Sequence, residues 1–197
     1  MPMTRGIPNV PILLLALILP FSSKAQTLLL TAEPNHSTVG FSISIAGFTR
    51  VTGKFTDFDL ELDWNMHHPD SSSLVARIRT ASILTGIPDR DEHLRSADFL
   101  HAEAYPEILF ASDSVRRIDF SNYRAFGKLT VRGITRNYIL PLRVNNIQEY
   151  TIGFSSRTRL NRTEFGVGTE FEHTAMPDFL ADEVDIELDF WTRKRKE

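Results

Sequence analysis

Apolar and polar residues alternate with a period of two along most of the chain. The alternation is clearest in residues 39–45, 58–64 and 184–190. This pattern is typical of antiparallel strands that turn one face to a core and the other to water. The same signal predicts further strands, which cover residues 74–82, 107–117, 123–132, 135–144 and 150–160. The chain is therefore expected to be all-β, with about eight strands.

Two local features interrupt the strand pattern. Between Phe55 and Phe58 the alternation slips by one residue, which predicts a β-bulge that bends the strand. The segment that begins at Asp89 predicts one short helix, with Asp89 as its N-cap and Glu92 as the partner residue of a capping box. An almost all-β chain with a single helix favours a barrel that carries the helix as a lid.

The start of the chain differs from the rest. Arg5 is followed by an apolar run and then by small residues that end at Ala25, which is the order found in secretory signal peptides. We expect residues 1–25 to be cleaved, residues 26–192 to form one domain and residues 193–197 to form a basic tail. A retained anchor is the alternative. Export to the periplasm is expected, with release to the medium left open.

Composition narrows the class of protein further. The sequence contains no cysteine, so an exported domain of this size must rely on its hydrophobic core instead of disulfides. The net charge is −3, which argues against a nucleic-acid partner because such proteins present a basic face.

Few residues suggest catalysis. Arg90, Asp91 and His93 could perform acid–base chemistry, but the favoured interpretation is structural: Asp91 suits the helix N-terminus, while Arg90 or His93 fastens the helix to the barrel. Arg162 is expected to pair with a carboxylate on a neighbouring strand. The six histidines show no metal-ligand spacing, so no metal site is expected. No motif indicates a nucleophile or a phosphate-binding loop.

The sequence resembles the YceI-like family, the polyisoprenoid-binding, lipocalin-like proteins of the bacterial envelope. The resemblance covers residues from about 28 to 191. Its pieces, in chain order, are His36-Ser37, Gly53-x-Phe55, Ser82-Ile83-x-Thr85-Gly86, Arg90-Asp91-x-His93-Leu94, Phe99, Tyr105-Pro106, Phe110-x-Ser112, Gly127-x-Leu129-Thr130-x-Arg132-Gly133-x-Thr135-Arg136 and Asn161-Arg162-x-x-Phe165-Gly166-Val167.

The resemblance implies an eight-stranded antiparallel lipocalin-like barrel with the helix near its mouth, and an apolar tunnel that holds a long isoprenoid such as the tail of a quinone. The predicted lumen residues are Phe41, Ile43, Ile45, Phe58, Leu60, Leu62, Ile78, Phe110, Leu129, Val131, Leu140, Leu142, Ile152, Phe154, Ile186, Leu188 and Phe190. Arg90, Asp91, His93 and Arg162 are assigned to the mouth, either beside a head group or as structural residues.

Three functions follow as hypotheses. The first is a non-enzymatic carrier of an isoprenoid lipid or quinone, which needs no cofactor because the lipid is cargo. The second is an enzyme that acts on such a lipid, with Arg90, Asp91 and His93 near its head group. The third is a structural or partner-binding barrel whose lumen is filled by side chains, as in many barrels of this strand number. The sequence leaves open a transient membrane contact and a homodimer.

Overall fold

The computed structural model describes residues 27–65, 67–174, 176 and 179–195, so the expected signal segment lies outside the described residues. Within them the chain forms eleven strand segments and one α-helix. The strands are β1 (Leu28–Ala32), β2 (Thr38–Ile45), β3 (Thr49–Phe55), β4 (Phe58–Trp64), β5 (Ser73–Arg79), β6 (Ile83–Leu84), β7 (Glu107–Arg117), β8 (Asn122–Val131), β9 (Ile134–Gln148), β10 (Thr151–Asn161) and β11 (Leu180–Lys194), and the helix is α1 (Pro88–Arg95).

The eleven segments occupy eight positions around a closed antiparallel barrel. The long strand β11 pairs with β2 through Ile186 and Phe41, and farther along with β1 through Lys194 and Leu30. The segments β1 and β2 therefore share one position, and β3–β4 and β5–β6 share the next two in the same way. The remaining strands follow in sequence order. The prediction of an all-β, eight-stranded barrel with one helix is confirmed.

Breaks inside the strands give the barrel its curvature. Residues 56 and 57 separate β3 from β4, at the place where the slip in alternation predicted a bulge, and such a break lets one strand bend around a barrel. The register also shifts between Ser112 and Ser114 in β7 and between Gly153 and Phe154 in β10. Several wall strands thus change direction halfway along the barrel.

The two ends of the barrel have different coverings. One end, which we call the mouth, carries the β2–β3 turn, α1, the β8–β9 turn and the described residues of the β10–β11 connector, which are 162–174, 176 and 179. The other end, the base, carries the β7–β8 and β9–β10 turns and the end of β11. The last strand runs to Lys194, two residues past the domain boundary expected from the sequence. No helix among the described residues is long and apolar enough to cross a bilayer.

The base of the barrel is filled with side chains. Leu30, Val115 and Ala125 are each 0% exposed, and the rings of Trp64 and Tyr123 meet edge to face with centroids 5.1 Å apart. Close contact across the axis at this end is ordinary core packing. The base therefore anchors the barrel and leaves any open space at the mouth end.

Candidate functional site

The mouth half of the barrel encloses an apolar cavity of about 770 Å³. Its size falls within the roughly 300–1,000 Å³ of small-molecule sites. Inward side chains such as Phe41, Ile43 and Ile186 are only partly buried, although they point to the barrel interior and line the cavity. Apolar side chains that face inward without being covered by partners mark a hollow interior and not a packed one.

Most of the lumen residues predicted from the sequence line this cavity. Thirteen of the seventeen do so: Phe41, Ile43, Ile45, Leu60, Ile78, Phe110, Leu129, Val131, Leu140, Phe154, Ile186, Leu188 and Phe190. Among them, Leu60, Phe110, Leu140, Phe154 and Phe190 also belong to the packed cluster of the base. These five form the floor of the cavity, where hollow and filled halves meet.

Four predicted lumen residues do not line the cavity: Phe58, Leu62, Leu142 and Ile152. All four point inward, but they are 8%, 3%, 6% and 1% exposed and belong to the packed hydrophobic cluster. Leu62, Leu142 and Ile152 lie on the base side of the floor, whereas Phe58 lies on the mouth side of Leu60 in β4. Phe58 belongs to the aromatic layer that closes the floor, because the ring of Phe190 packs 5.8 Å from that of Phe58 and 5.2 Å from that of Phe154. The structure thus places Leu62, Leu142 and Ile152 in the packed base and Phe58 within the floor, not in the lining of the lumen.

Several lining residues were not among the predicted ones. Val39 and Val184 share the inward parity of their strands and could have been included on that signal. Phe165, Phe171 and Phe179 come from the connector between β10 and β11 and also line the cavity. Connectors have no regular period, so the alternation that identified the wall could not identify these aromatic residues.

The helix α1 is fastened to the mouth by a bond network around Thr85. The Asp91 carboxylate accepts hydrogen bonds from the Thr85 backbone N–H at 2.7 Å and from its hydroxyl at 2.5 Å. Arg90 donates to the same hydroxyl at 2.8 Å and to the Thr85 carbonyl at 3.1 Å. The Thr85 hydroxyl lowers the pKa of Asp91, although its burial acts in the opposite direction. The network supports a structural role for both side chains.

The predicted capping box is wrong. The helix begins at Pro88, its N-cap is Ile87, and no side chain caps it. Proline suits this first position, because the N–H that it lacks would have no partner in the helix. The acidic residue that holds the start of the helix in place is Asp91. It is 3% exposed, and its carboxylate bonds to Thr85 before the helix instead of to a group within it.

His93 lies at the cavity mouth among aromatic rings. Its ring contacts Phe99 and Phe171 with centroid distances of 4.9 and 5.6 Å, and Nε2 lies 3.2 Å from the Asp98 carboxylate. His93, Arg90 and Asp89 line the cavity, whereas Asp91 does not. Among the described residues no cluster of His, Asp or Glu has the arrangement of a metal site.

Arg162 fixes the first part of the β10–β11 connector to the start of β11. Its guanidinium donates to the carbonyls of Val167 and Gly168 at 2.7 and 2.9 Å, and to those of Ala181 and Leu180 at 2.9 and 3.3 Å. The expected carboxylate partner is Asp182, at 3.3 Å. Burial lowers the pKa of Arg162. The guanidinium N–H groups of Arg162 therefore bond to the backbone that forms the wall of the mouth.

Fold and cavity together define a hollow antiparallel barrel of the lipocalin-like kind, closed at one end. A YceI-like domain model matches residues 30–191, so the chain belongs to the YceI-like family. A UPF0312 protein of Pseudomonas putida is 31% identical over 140 residues, which cover 68% of this chain and 73% of the relative. A UPF0312 protein of Pseudomonas savastanoi is 29% identical over 157 residues, or 77% of this chain and 82% of the relative.

Solved structures share the fold at low sequence identity. BcnA of Burkholderia cenocepacia superposes with a TM-score of 0.75 at 24% identity, over 81% of this chain and 98% of that one. A polyisoprenoid-binding domain from Saccharophagus degradans, implicated in plant cell wall breakdown, gives a TM-score of 0.71 at 13% identity, over 85% and 99% of the two chains. These likenesses establish a common barrel architecture.

Proposed function

We propose that the protein is a non-enzymatic carrier that holds a long isoprenoid lipid, such as an isoprenoid quinone, in the mouth half of its barrel. The observation that carries the proposal is the apolar cavity of about 770 Å³ with its partly uncovered inward side chains. The description of the Saccharophagus degradans neighbour as polyisoprenoid-binding supports the same class of ligand.

The energetics favour a long hydrocarbon. Each CH₂ group that leaves water gains roughly 0.8 kcal/mol, so a branched prenyl chain gains several kcal/mol for every few carbons that enter the cavity. Ordering of the flexible chain offsets part of this gain. Because the floor formed by Phe154, Phe190 and their neighbours is fixed by the packed base, the depth of the cavity limits how much chain can enter.

The geometry of the mouth supports carriage over catalysis. Arg90 and Asp91 form hydrogen bonds with Thr85, and Arg162 donates hydrogen bonds to four backbone carbonyls. A group that is committed to holding the fold is a poor acid or base for a substrate. An enzymatic role would rest on His93 and would require that a bound lipid be chemically altered by wild-type protein and left intact by His93→Ala.

Export of the protein is part of the same proposal. A soluble barrel that shields a prenyl chain is useful in a compartment where the chain must cross water. The apolar run before Ala25 supports the periplasm as that compartment. The test is the N-terminal sequence of the protein recovered from the periplasmic fraction of its host: a start at residue 26 agrees with export, and a start at residue 1 in the cytoplasm contradicts it.

Uptake of a fluorescent prenyl lipid tests the cavity itself. Leu188→Arg puts a charge into the apolar wall, which a hydrocarbon cannot pair, and it should abolish uptake. Leu188→Trp should weaken uptake by filling the space without a charge. The matched control is Ile139→Arg, because Ile139 is 50% exposed on the outer wall of β9. Equal uptake by all folded variants would contradict the proposal.

A further inference from the structure

Two turns at the mouth present apolar side chains to water. The first is the β2–β3 turn of residues 46–48, where Phe48 is 86% exposed. The second is the segment of residues 85–88 that leads into α1, where Ile87 is 50% exposed. Apolar residues scattered singly over a surface are ordinary, so these two acquire meaning only if they form one surface.

The two turns lie side by side on the rim of the cavity. Strand β6 pairs antiparallel with β3, so the chain that follows β6 runs back toward the start of β3. Along this path Thr85 packs beside Gly53, because a Cβ on Gly53 would lie 2.9 Å from Cγ2 of Thr85. Ile45 and Thr49, which flank the β2–β3 turn, line the cavity together with Ile87. The exposed rim therefore continues into the apolar wall of the cavity.

The β2–β3 turn is held in one shape. Ala46 and Gly47 have φ angles of 46° and 73°, which reverse the chain tightly. The Phe48 N–H donates to the Ile45 carbonyl at 2.9 Å, and the Ala46 N–H donates to the Phe179 carbonyl of the connector at 2.7 Å. The turn is thus fixed both within itself and to the connector, and it projects the Phe48 ring away from the barrel.

Neither turn carries a charge. Residues 45–49 read Ile-Ala-Gly-Phe-Thr and residues 85–88 read Thr-Gly-Ile-Pro, in a chain in which 24% of the residues are charged. A charged side chain is costly in the hydrocarbon of a bilayer, whereas this part of the rim can enter it without burying an ion. Charge and apolar exposure together fit a lipid surface as the partner.

The exposed aromatic residues of the base have a different setting. Phe120 is 87% exposed in the β7–β8 turn, but Asp119 precedes it and the Arg117 guanidinium lies 5.8 Å from its ring. The ring of Tyr150 lies 5.5 Å from the Lys194 ammonium. Insertion of either ring would bring a charge along with it, and the base is the closed end of the barrel. The observations therefore favour the mouth.

We propose that the mouth docks on a phospholipid bilayer through the β2–β3 turn and residues 85–88, with Phe48 and Ile87 inserted among the lipid chains. The inference rests on the proposed function, because a carrier of a water-insoluble lipid must collect it from a bilayer. Ile87 joins the inserted rim to the cavity wall, so the cargo chain passes between membrane and cavity along an apolar path. Two side chains bury little area and give a weak, reversible attachment, which lets the carrier leave again.

A tryptophan at each end of the barrel reports which end enters the bilayer. Phe48→Trp and Phe120→Trp form a matched pair, because the two positions are 86% and 87% exposed. Each variant, purified from the host and delipidated, is mixed with phosphatidylcholine vesicles whose acyl chains carry bromine, which quenches indole fluorescence at short range. After subtraction of the wild-type signal of Trp64 and Trp191, quenching should appear in Phe48→Trp and be absent from Phe120→Trp.

Uptake of a fluorescent short-chain prenyl lipid separates docking from binding. Phe48→Ser and Phe120→Ser each replace an exposed ring and should leave the fold intact. Phe48→Ser should slow uptake from phosphatidylcholine vesicles about tenfold, the lower end of what is expected when one aromatic side chain no longer leaves water. The same variant should bind the lipid with unchanged Kd when the lipid is added from ethanol, and Phe120→Ser should match the wild type from both sources.

The outcomes distinguish docking from carriage. Quenching in Phe120→Trp, or unchanged uptake by Phe48→Ser, would overturn docking through the mouth. Equal weakening from vesicles and from ethanol would show that Phe48 only shapes the cavity. A dimer that light scattering detects without vesicles and that Phe48→Ser abolishes would show that the turn contacts a second copy. Both of these results also overturn docking and leave the carrier, whereas wild-type protein that binds lipid from neither source would overturn the carrier itself.

Discussion

Truncation of the same side chain at two depths of the barrel should have unequal costs. Ile152 of β10 is 1% exposed and belongs to the packed base. Ile186 of the neighbouring strand β11 is partly exposed and lines the cavity. Ile152→Ala and Ile186→Ala therefore make an identical chemical change in the filled half and in the hollow half of one sheet.

The expected free energies of unfolding follow from the surroundings of each residue. Replacement of Ile by Ala removes about three carbons, worth roughly 2.4 kcal/mol when they are fully buried. In the base a new void adds to this, so Ile152→Ala should cost about 3–4 kcal/mol, within the usual range of about 2–5 kcal/mol. At Ile186 the lost volume merges with space that is already open, and the cost should be about 1 kcal/mol. The lower strand propensity of Ala affects both variants alike.

Urea unfolding of delipidated protein measures the difference. Lipid must be removed first, because a ligand that binds the native state raises its apparent stability. At equal m-values the two variants should differ by about 2–3 kcal/mol. Equal costs, or a larger cost at Ile186, would refute the division of the barrel into a filled base and a hollow mouth.

The remaining predictions concern the base, the helix and the connector. Leu142→Arg should prevent folding, since it buries an unpaired charge in the base; a soluble variant with native circular dichroism would contradict this. Asp91→Asn should lower stability at neutral pH. Because the Thr85 hydroxyl lowers the pKa of Asp91, the carboxylate's contribution is present above its unfolded pKa and is lost as the pH falls through the folded one. The urea midpoints of wild type and variant should therefore converge in acid, and a constant gap would be evidence against the Thr85 network. Arg162→Lys should expose the connector to limited proteolysis at neutral pH, because an ammonium cannot serve four carbonyls in the planar geometry of a guanidinium; unchanged cleavage rates would contradict that role.

The inward faces of the wall strands could be predicted because a strand has a strict period of two. Ile186 and Leu188 follow from this rule, and so do Phe58 and Leu62. How far the cavity extends into the barrel could not be predicted in the same way. The alternation is the same where side chains meet across the barrel axis and where they leave space. Leu60 and Leu62 are two residues apart, yet only Leu60 lines the cavity.

The mouth was less predictable than the wall. Phe171 and Phe179 lie in a connector without a period, and only the folded chain brings them to the cavity. Asp89 and Glu92 fit a capping box by spacing, but the contact that forms is between Asp91 and Thr85, across a turn of the chain. The end of the β9–β10 pairing at Ser155 could not be predicted either, because the alternation of apolar residues does not reveal it.

Native mass spectrometry of the protein purified from its own host shows whether the cavity holds a lipid. We expect a single added mass per chain, which solvent extraction releases as an intact prenyl lipid and which Leu188→Arg no longer retains. Protein that carries no ligand and takes up none of the extracted host lipids would contradict the assignment of the cavity to a lipid.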